Sequence, residues 1–405
     1  MVLKTRGNLS NTPNKVRYVR TYTDFDDVLR SDILYILDGK IDMFDRSLEV
    51  PASGLYLGGH NFDVSGIFSS EDNYTLFTSP PSGSGNLVCN DFTVSVTGNG
   101  SKVFDLFSVT GNEALEFTAL NFLGCSSRGV IHNYRQGLET GVGFFGGSPE
   151  LTMSGVWNGH RVDTTIVRGL ANGTTLFKAG DNFTLSGRFV TDLNCDLPTT
   201  GSLLDFSEEN IVNDESLVIQ GAFITRSGVV NPKDTTLMPN ITEGSVKSSW
   251  KNNTGLGNTT KYIKGVCSVE LETPIVQTDT YYPLNGVVTI AKQTHFDSPS
   301  NGVYRLLTGT GDYLVTGDLI IAGSANDQID IRIVKSTDNF TTSEEINHSR
   351  RIINNLSGNR DVAFFPINFI ANLDKGDVIR VEIENKSSTN NVSQEVDSFL
   401  ILSGI

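Results

Sequence analysis

The chain has 405 residues and a mass of 44.0 kDa, and its 31 Lys and Arg against 46 Asp and Glu give a formal charge of −15. This length suggests two or three domains with cores of their own, which excludes a small disulfide-stapled scaffold. The pI near 4.8 argues against a nucleic-acid-binding protein, and no stretch approaches the ~20 apolar residues that span a bilayer.

The composition predicts an all-β protein with many turns. Hydrophobic residues make up 38% and charged residues 19%, while the chain contains 40 Gly, 23 Phe and 11 Tyr. These aromatics are too many for a disordered chain, and the strong helix formers are too few for a mostly helical one. The four cysteines show no CxxC spacing, so we expect buried free thiols rather than structural zinc.

Residues 1–32 are interpreted as a basic arm followed by a capping helix. The first twenty residues contain five positive charges and no acid, and such an arm is either a solvated tail or a docking peptide. The next segment, TYTDFDDVLRSDILYIL, predicts a short helix that opens at Thr23 with acidic residues in its first turn. The arm contains no apolar core of a secretory signal peptide. Its basic residues are Lys4, Arg6, Lys15, Arg17 and Arg20.

Residues 33–228 contain short expected strands of alternating apolar and polar residues, separated by Gly, Asn, Ser and Pro. These strands fall into two interleaved repeated sequence motifs, which we call the first and the second phrase. A loose period of 23–36 residues without intervening helices predicts a right-handed parallel β-helix. An antiparallel sandwich or a propeller is the alternative. The central residues of the first phrase are Val64, Val94, Phe117, Met153, Leu185 and Ile219; those of the second are Phe77, Phe104, Ile131, Phe177 and Leu204.

Two further regions follow. Residues 229–265 lose the alternation and gain Asn, Thr, Ser and Lys, so we interpret them as a linker or a terminating coil. Residues 266–405 alternate again and contain about eight expected strands, the size of an antiparallel jelly-roll sandwich.

The C-terminal segment carries a first family resemblance. In FPINFIANLDKGDVIRVEIEN an apolar strand leads through Leu373, Gly376 and Asp377 into a second strand, and FLILSGI ends the chain. This pattern resembles the jelly-roll heads of the tumour necrosis factor and complement-globular-head type. Because those heads form trimers, the resemblance implies a homotrimer.

The middle region carries a second resemblance. LYILDGKIDM and HNFDVSGIFSSEDNYTLFTSP resemble the β-helical shafts of fibre and spike proteins of tailed bacteriophages, and HNYRQGLETGVGFFGGSPELTMSG is similar to segments of phage virion proteins. The resemblance implies a trimeric fibre or spike on the tail or the head. Such a chain is made in the bacterial cytoplasm and located on the virion.

In this interpretation the five basic residues of the arm dock on other virion proteins. The acidic body contacts a glycan or protein of the host surface by non-covalent binding. One alternative is a glycan depolymerase on the same scaffold, and another is a capsid decoration or head fibre without a receptor role.

The sequence predicts no catalytic residue, cofactor or metal site, since the HExxH, paired CxxC, GxSxG and P-loop patterns do not occur. A cation site at His295, Asp297 and Asp312 or Asp318 is the weaker alternative to a polar turn. Outward aromatics could stack on sugars but are more often core; the residues considered are Tyr56, Tyr74, Tyr134, Phe144, Phe145 and Trp157. A glycosidase needs two nearby carboxylates, and the acids of the shaft are expected to be solvated or to cap turns. They are Asp63, Asp72, Asp91, Asp105, Glu113, Glu116, Glu139, Asp163, Asp205 and Glu208.

Overall fold

The structure, a computed structural model, describes residues 13–108, 110–230, 235–242, 245–254, 256, 261–353 and 361–404. The chain is all-β, as its composition predicts. The helices of the described residues are three short 3-10 turns, η1 (Tyr22–Asp24), η2 (Glu208–Asn210) and η3 (Thr235–Leu237). The chain forms two compact units, which meet in sequence near residue 258.

The described residues of the first unit form twenty-three strands. They are β1 (Lys15–Val19), β2 (Ile33–Leu37), β3 (Lys40–Asp42), β4 (Leu48–Glu49), β5 (Leu55–Gly59), β6 (Gly66–Ser69), β7 (Thr75–Thr78), β8 (Leu87–Asn90), β9 (Thr93–Val96), β10 (Lys102–Phe107), β11 (Ala114–Thr118), β12 (Asn121–Leu123), β13 (Gly129–His132), β14 (Gln136–Thr140), β15 (Gly143–Phe145), β16 (Leu151–Ser154), β17 (Val156–Arg168), β18 (Thr174–Ala179), β19 (Thr184–Leu197), β20 (Gly201–Asp205), β21 (Leu217–Gln220), β22 (Phe223–Arg226) and β23 (Ser248–Lys251).

These strands pair in parallel along three ladders, which the chain visits in the same order on each pass. The first ladder runs β1-β2-β5-β8-β11-β14-β17-β19-β21-β23, and the second runs β3-β6-β9-β12-β15-β17-β19-β22. The third runs β4-β7-β10-β13-β16-β18-β20. The long strands β17 and β19 each contribute to both of the first two ladders.

The interior of this stack is filled by side chains that repeat from pass to pass. Phe77, Phe104, Phe177 and Leu204 occupy one register row of the third ladder, as the second repeated phrase predicts. The prediction is wrong for Ile131, because Gly129 takes the place in this row and Ile131 pairs with Leu106, two positions away. The rings of Phe77 and Phe104 stack with centroids 5.6 Å apart. Such offset aromatic pairs stabilise the contact beyond the burial of their area.

The first repeated phrase does not mark one ladder. Val94 lies on β9, Phe117 on β11 and Met153 on β16, which belong to three different ladders. Val64 is half exposed and precedes β6, where Ile67 takes the buried position.

The helix that was expected after residue 20 is only the turn η1. The apolar residues that follow form strand β2, in which Ile33, Tyr35 and Leu37 point inward. Alternation with period two and β-branched side chains favour this strand over a helix.

Part of the segment interpreted as a linker continues the stack. Strand β23 pairs in parallel with β21, and Trp250 is buried opposite Ile219. The first strand of the second unit starts at Tyr262, ahead of the boundary placed at residue 266.

In the second unit, the part of the chain that the structure describes forms fourteen strands in two antiparallel sheets. They are β24 (Tyr262–Val269), β25 (Leu271–Thr273), β26 (Tyr282–Pro283), β27 (Val287–Thr294), β28 (Phe296–Asp297), β29 (Val303–Leu306), β30 (Gly311–Gly323), β31 (Ile329–Ser336), β32 (Glu344–Glu345), β33 (Arg351–Ile353), β34 (Asp361–Leu373), β35 (Val378–Asn385), β36 (Val392–Gln394) and β37 (Phe399–Gly404).

Sheet I has the order β25-β36-β30-β37-β24-β27, with β34 paired to β30. Sheet II has the order β28-β29-β35-β31-β32, with β26 paired to β35 and β33 to β31. Inward residues of both sheets, among them Val315, Phe365, Ile331 and Ile383, form one core. The turn after Leu373 leads from β34 into β35, as the sequence pattern predicts.

Candidate functional site

The outer face of sheet I exposes apolar side chains on two neighbouring strands. On β34 the buried residues alternate with exposed ones, of which Val362 is 42%, Phe364 65% and Ile370 59% exposed. Phe364 lies opposite Ile320 of β30, and Ile370 lies opposite Leu314. We call these five residues the β34 face. Large apolar side chains in such a group indicate an interaction surface rather than a solvated one.

Strand β34 also has an open edge. It pairs along all thirteen residues with β30, and no other strand of the described residues pairs with it. Pro366 stands in its middle, and proline is tolerated in sheets mainly on edge strands. An open edge can pair with another chain, but Pro366 lacks the N–H group that such pairing uses at its centre, so the exposed apolar side chains are the main feature of this surface.

The next strand on the other side of β30 is β37, whose outer residues are less exposed. Phe399 and Ile401 lie opposite Asp318 and Thr316 of β30. The ammonium group of Lys264 lies 5.3 Å from the centroid of the Phe399 ring. This cation-π contact covers that ring, so among β30, β34 and β37 the most exposed apolar side chains are those of β34.

The basic residues of the N-terminal arm are placed partly within the stack. Lys15 and Arg17 lie on β1, while Lys4 and Arg6 lie outside the described residues. Lys15 pairs with Asp32 at 2.9 Å, Arg17 pairs with Asp26, and Arg20 pairs with Asp38 at 2.8 Å.

These ion pairs also change the pKa of an acidic partner. The hydrogen bonds from Lys15 and Arg30 lower the pKa of Asp32 to about 2. Three of the five predicted docking cations are therefore already neutralised by carboxylates of the same chain, which weakens their attraction for an acidic partner.

Glu139 was expected to be solvated, and the structure corrects this expectation. It lies inside the stack at 1% exposure, with Arg128 Nη1 at 3.0 Å and His160 Nε2 at 3.1 Å from its Oε1 atom. Burial disfavours its charge, but Arg128 and His160 outweigh this effect and lower the pKa of Glu139.

Arg128 fixes this network to the backbone. Its Nε donates to the Pro149 carbonyl at 2.9 Å, and its Nη2 donates to the Leu176 carbonyl at 2.9 Å. The guanidinium carbon lies 4.4 Å from the Phe144 ring centroid and 4.7 Å from that of Phe177. A carboxylate enclosed in this way stabilises the core and does not meet a substrate from solvent.

The acids proposed for sugar hydrolysis do not form an evident catalytic pair. Asp105 and Asp205 occupy one outward row of the third ladder, separated by Val130, Thr152 and Lys178. Four ladder steps of ~4.8 Å place them ~19 Å apart, beyond the ~9.5 Å upper limit of a glycosidase pair.

Several of the remaining acids have local partners. Asp163 pairs with Arg161 at 2.6 Å, Asp72 accepts from the Asn99 amide, and Glu208 accepts from the Thr242 amide.

The residues considered for a cation site are not gathered together. Asp297 pairs with Arg305, His295 bonds the Thr308 hydroxyl through Nδ1 at 2.8 Å, and Asp312 accepts from Asn372. In the part of the chain that the structure describes, no three His, Cys, Asp or Glu side chains could hold a metal ion together. The described residues also contain no helix of the length and apolarity needed to cross a membrane.

The aromatics considered for sugar stacking are mostly core residues. Tyr134, Phe144 and Trp157 have no exposed surface, and Tyr74 is 5% exposed. Phe145 is partly exposed and covers Gly143, whose missing side chain leaves room for the ring.

Sheet II carries a charged network that sequence reasoning missed. Asp330, Glu382 and Glu384 point away from the core yet are almost fully buried, since long cationic side chains cover them. Arg350 Nε lies 2.8 Å from Asp330, Arg332 Nη2 lies 2.7 Å from Glu382, and Lys386 lies 2.9 Å from Glu384. The alternation in IDIRIV and VIRVEIEN signals this arrangement, but only the register pairs the charges.

Comparison with known proteins gives a fold-level likeness. A crystal structure of murine APRIL at pH 5.0 is 12% identical, with a TM-score of 0.28, over 36% of this chain and 99% of that chain. The Eiger tumour necrosis factor protein from S. frugiperda is 14% identical, with a TM-score of 0.28, over 36% and 94% of the two chains. No protein-family model matches the chain. No curated protein matches it either.

Proposed function

We propose that the chain is a homotrimeric structural protein of a tailed-phage virion, a fibre or spike that binds the host surface non-covalently. In this proposal the three parallel ladders form a right-handed parallel β-helix shaft, and the two antiparallel sheets form a jelly-roll tip. The observation that carries the proposal is the β34 face, with its open strand edge, which suits association with further copies of the chain.

The stack supports a shaft role through its construction. Each pass of 22–29 residues along the third ladder pairs only with the pass before and the pass after it. Such quasi-one-dimensional stacking gives a stiff element whose faces are available for contacts. The number of subunits and the phage origin rest on the sequence resemblance.

The proposed attachment to the virion rests on the arm. Lys15, Arg17 and Arg20 pair with carboxylates of the same chain, so docking through them would require an acidic partner to compete with Asp32, Asp26 and Asp38. Antibody labelling of particles from phage-infected cells tests the location and separates a tail fibre from a head decoration.

A glycan depolymerase is the second candidate. It would require release of reducing ends from bacterial capsule or lipopolysaccharide, with the release abolished by substitution of one Asp or Glu. The burial of Glu139 and the separation of Asp105 from Asp205 favour binding over hydrolysis.

Light scattering on the purified full chain tests the trimer. We expect a mass of about 132 kDa, three times the 44.0 kDa of one chain. The variants Phe364→Asp and Ile370→Asp should lower this mass towards one chain, because each would bury an unpaired carboxylate in the interface. Ile352→Asp, a substitution at a residue that is 48% exposed on sheet II, is the matched control and should leave the mass unchanged. A wild-type mass near 44 kDa would overturn the trimer.

A further inference from the structure

A cavity of about 180 Å³ lies inside the second unit, with walls from both sheets. Cys267 of β24 and Gln394 of β36 line it from sheet I, and Tyr304 of β29 and Val381 of β35 line it from sheet II. The side chains of Leu284 and Val288 belong to the apolar part of the lining. Tyr304 also belongs to the apolar core of the unit, so the cavity adjoins this core.

Two polar side chains of the lining are buried without a protein partner. Tyr304 is 4% exposed and Gln394 is 6% exposed. Among the residues that the structure describes, neither the Tyr304 hydroxyl nor the Gln394 carboxamide forms a hydrogen bond. Both polar ends therefore face the cavity, where a molecule within it can form hydrogen bonds with them.

Two glycines make room for these polar groups. A Cβ atom at Gly265 would collide with the Tyr304 hydroxyl, and a Cβ atom at Gly286 would collide with the Gln394 carboxamide oxygen. Both glycines have ordinary negative backbone φ or an extended backbone, so conformation does not require them. Their absent side chains instead keep the polar ends of Tyr304 and Gln394 in place at the cavity wall.

The lining offers no free charge. Arg380 is its one charged residue, and its guanidinium already donates to Glu382 Oε1 from Nε at 3.1 Å and from Nη2 at 2.6 Å. Burial raises the pKa of the Cys267 thiol, so this group is neutral as well. A carboxylate or phosphate ligand would find no unpaired cation here, which favours an uncharged ligand.

We propose that this cavity binds one neutral sugar residue. A phenol and a carboxamide both donate and accept hydrogen bonds, as sugar hydroxyls do, and the apolar wall suits the C–H faces of a sugar ring. The volume holds roughly six to twelve water-sized atoms, the size of a monosaccharide. This inference rests on the proposed attachment function only for the source of the sugar, a glycan of the host surface.

Calorimetric titration of the full chain with single neutral monosaccharides tests the site. We expect one of them to bind at millimolar concentration. Tyr304→Phe and Gln394→Met, which each remove one polar group at nearly constant volume, should each weaken binding roughly 2- to 13-fold. Tyr282→Phe and Gln293→Met make the same changes outside the lining and should leave binding unchanged.

Two results would overturn the inference: no sugar binds, so that the cavity contains water only, or the double variant Tyr304→Phe/Gln394→Met binds as the wild type does. The thermal unfolding midpoint of each variant shows that it is folded. The mass of the same sample distinguishes the sugar site from the trimer. A monomer that binds sugar would support the site and overturn the trimer, whereas a trimer that binds no sugar would support the trimer and overturn the site.

Discussion

Replacement of Arg128 by Met should strongly destabilise the first unit. The substitution removes the only arginine that contacts Glu139 and leaves this carboxylate buried beside His160. Loss of one partner from a buried ion pair costs about 3–5 kcal/mol. The carbonyls of Pro149 and Leu176 also lose their guanidinium donors, which adds about 1 kcal/mol each. The expected loss is thus about 5–7 kcal/mol, comparable with the whole stability of many domains.

The loss of folding stability in Arg128→Met should increase as the pH rises. Without Arg128, burial raises the pKa of Glu139 above its unfolded value of about 4.3, so the folded variant binds a proton that the unfolded chain releases. The contribution of Glu139 to the stability of the variant is therefore largest below pH 4, and it falls by up to about 1.4 kcal/mol per pH unit as the pH rises towards the folded pKa. The wild type, in which the pKa of Glu139 is lowered, has the opposite slope at acidic pH.

Guanidinium unfolding followed by tryptophan fluorescence measures this effect selectively. The chain has two tryptophans, and both Trp157 and Trp250 lie in the first unit. Arg161→Met, which breaks an exposed pair with Asp163, is the matched control and should cost less than about 1 kcal/mol. A loss within 1 kcal/mol of that control, the same at pH 5 and pH 8, would refute the reasoning.

Three further predictions concern single groups. Gly137→Ala should destabilise the first unit by about 1–3 kcal/mol in the same assay, because its Cβ would collide with the packed His160 ring; an unchanged midpoint would contradict this. The amide and hydroxyl of Thr342 and the hydroxyl of Ser336 lower the pKa of Asp338 to about 2. The contribution of the ionised Asp338 carboxylate to folding stability is therefore present above about pH 4 and is lost as the pH falls through 2. In Thr342→Val, which removes one of the hydroxyl donors, NMR of the carboxyl group should show a higher pKa for Asp338. All four cysteines are buried, and burial raises the pKa of Cys125 to about 11, so the native chain should resist a thiol reagent at pH 8 and react fully once unfolded.

The double variant Arg128→Met/Glu139→Leu separates lost charge from lost packing. Apolar replacement of both members of a buried pair is often neutral or stabilising. We therefore expect the double variant to recover most of the stability that Arg128→Met loses. A double variant as unstable as the single one would mean that packing around Phe144 and Phe177, and not the unpaired carboxylate, carries the effect.

The alternation of apolar and polar residues predicts which segments are strands, but it does not predict to which ladder each strand belongs. Phe77 and Phe104, and likewise Phe177 and Leu204, are 27 residues apart and lie in one row, but Ile131, which follows Phe104 at the same spacing, lies two positions from it. Val94 and Met153 look alike in sequence but lie on different ladders. Every ladder buries alternate apolar residues, so local pattern cannot distinguish one from another, and only the pairing partner does.

The buried network of Arg128, Glu139 and His160 could not be predicted from the sequence for the same reason. Arg128 directly precedes β13, Glu139 lies on β14 and His160 lies on β17. The parallel register of β14 and β17 pairs Gly137 with His160 and so brings Glu139 close to His160. A Glu within a polar stretch is normally solvated, so Glu139 gave no local signal of its burial. The charged row of sheet II had a visible pattern, in which apolar and charged residues alternate, but its pairing was not predictable from either strand alone.

The two outer faces of the second unit differ in what it would cost to cover them with another protein. On sheet II the carboxylates of Asp330, Glu382 and Glu384 are already paired with cations of the same unit, and covering this network would remove those cations from water. On sheet I the β34 face is mostly apolar, and each Å² of its surface removed from water would contribute about 25 cal/mol. One charge, Asp318 of β30, lies opposite Pro366 between Phe364 and Ile370, so a partner on this face has a single carboxylate to desolvate or pair, against three carboxylates and their cations on sheet II. The proposed association of further copies is therefore less costly on sheet I than on sheet II.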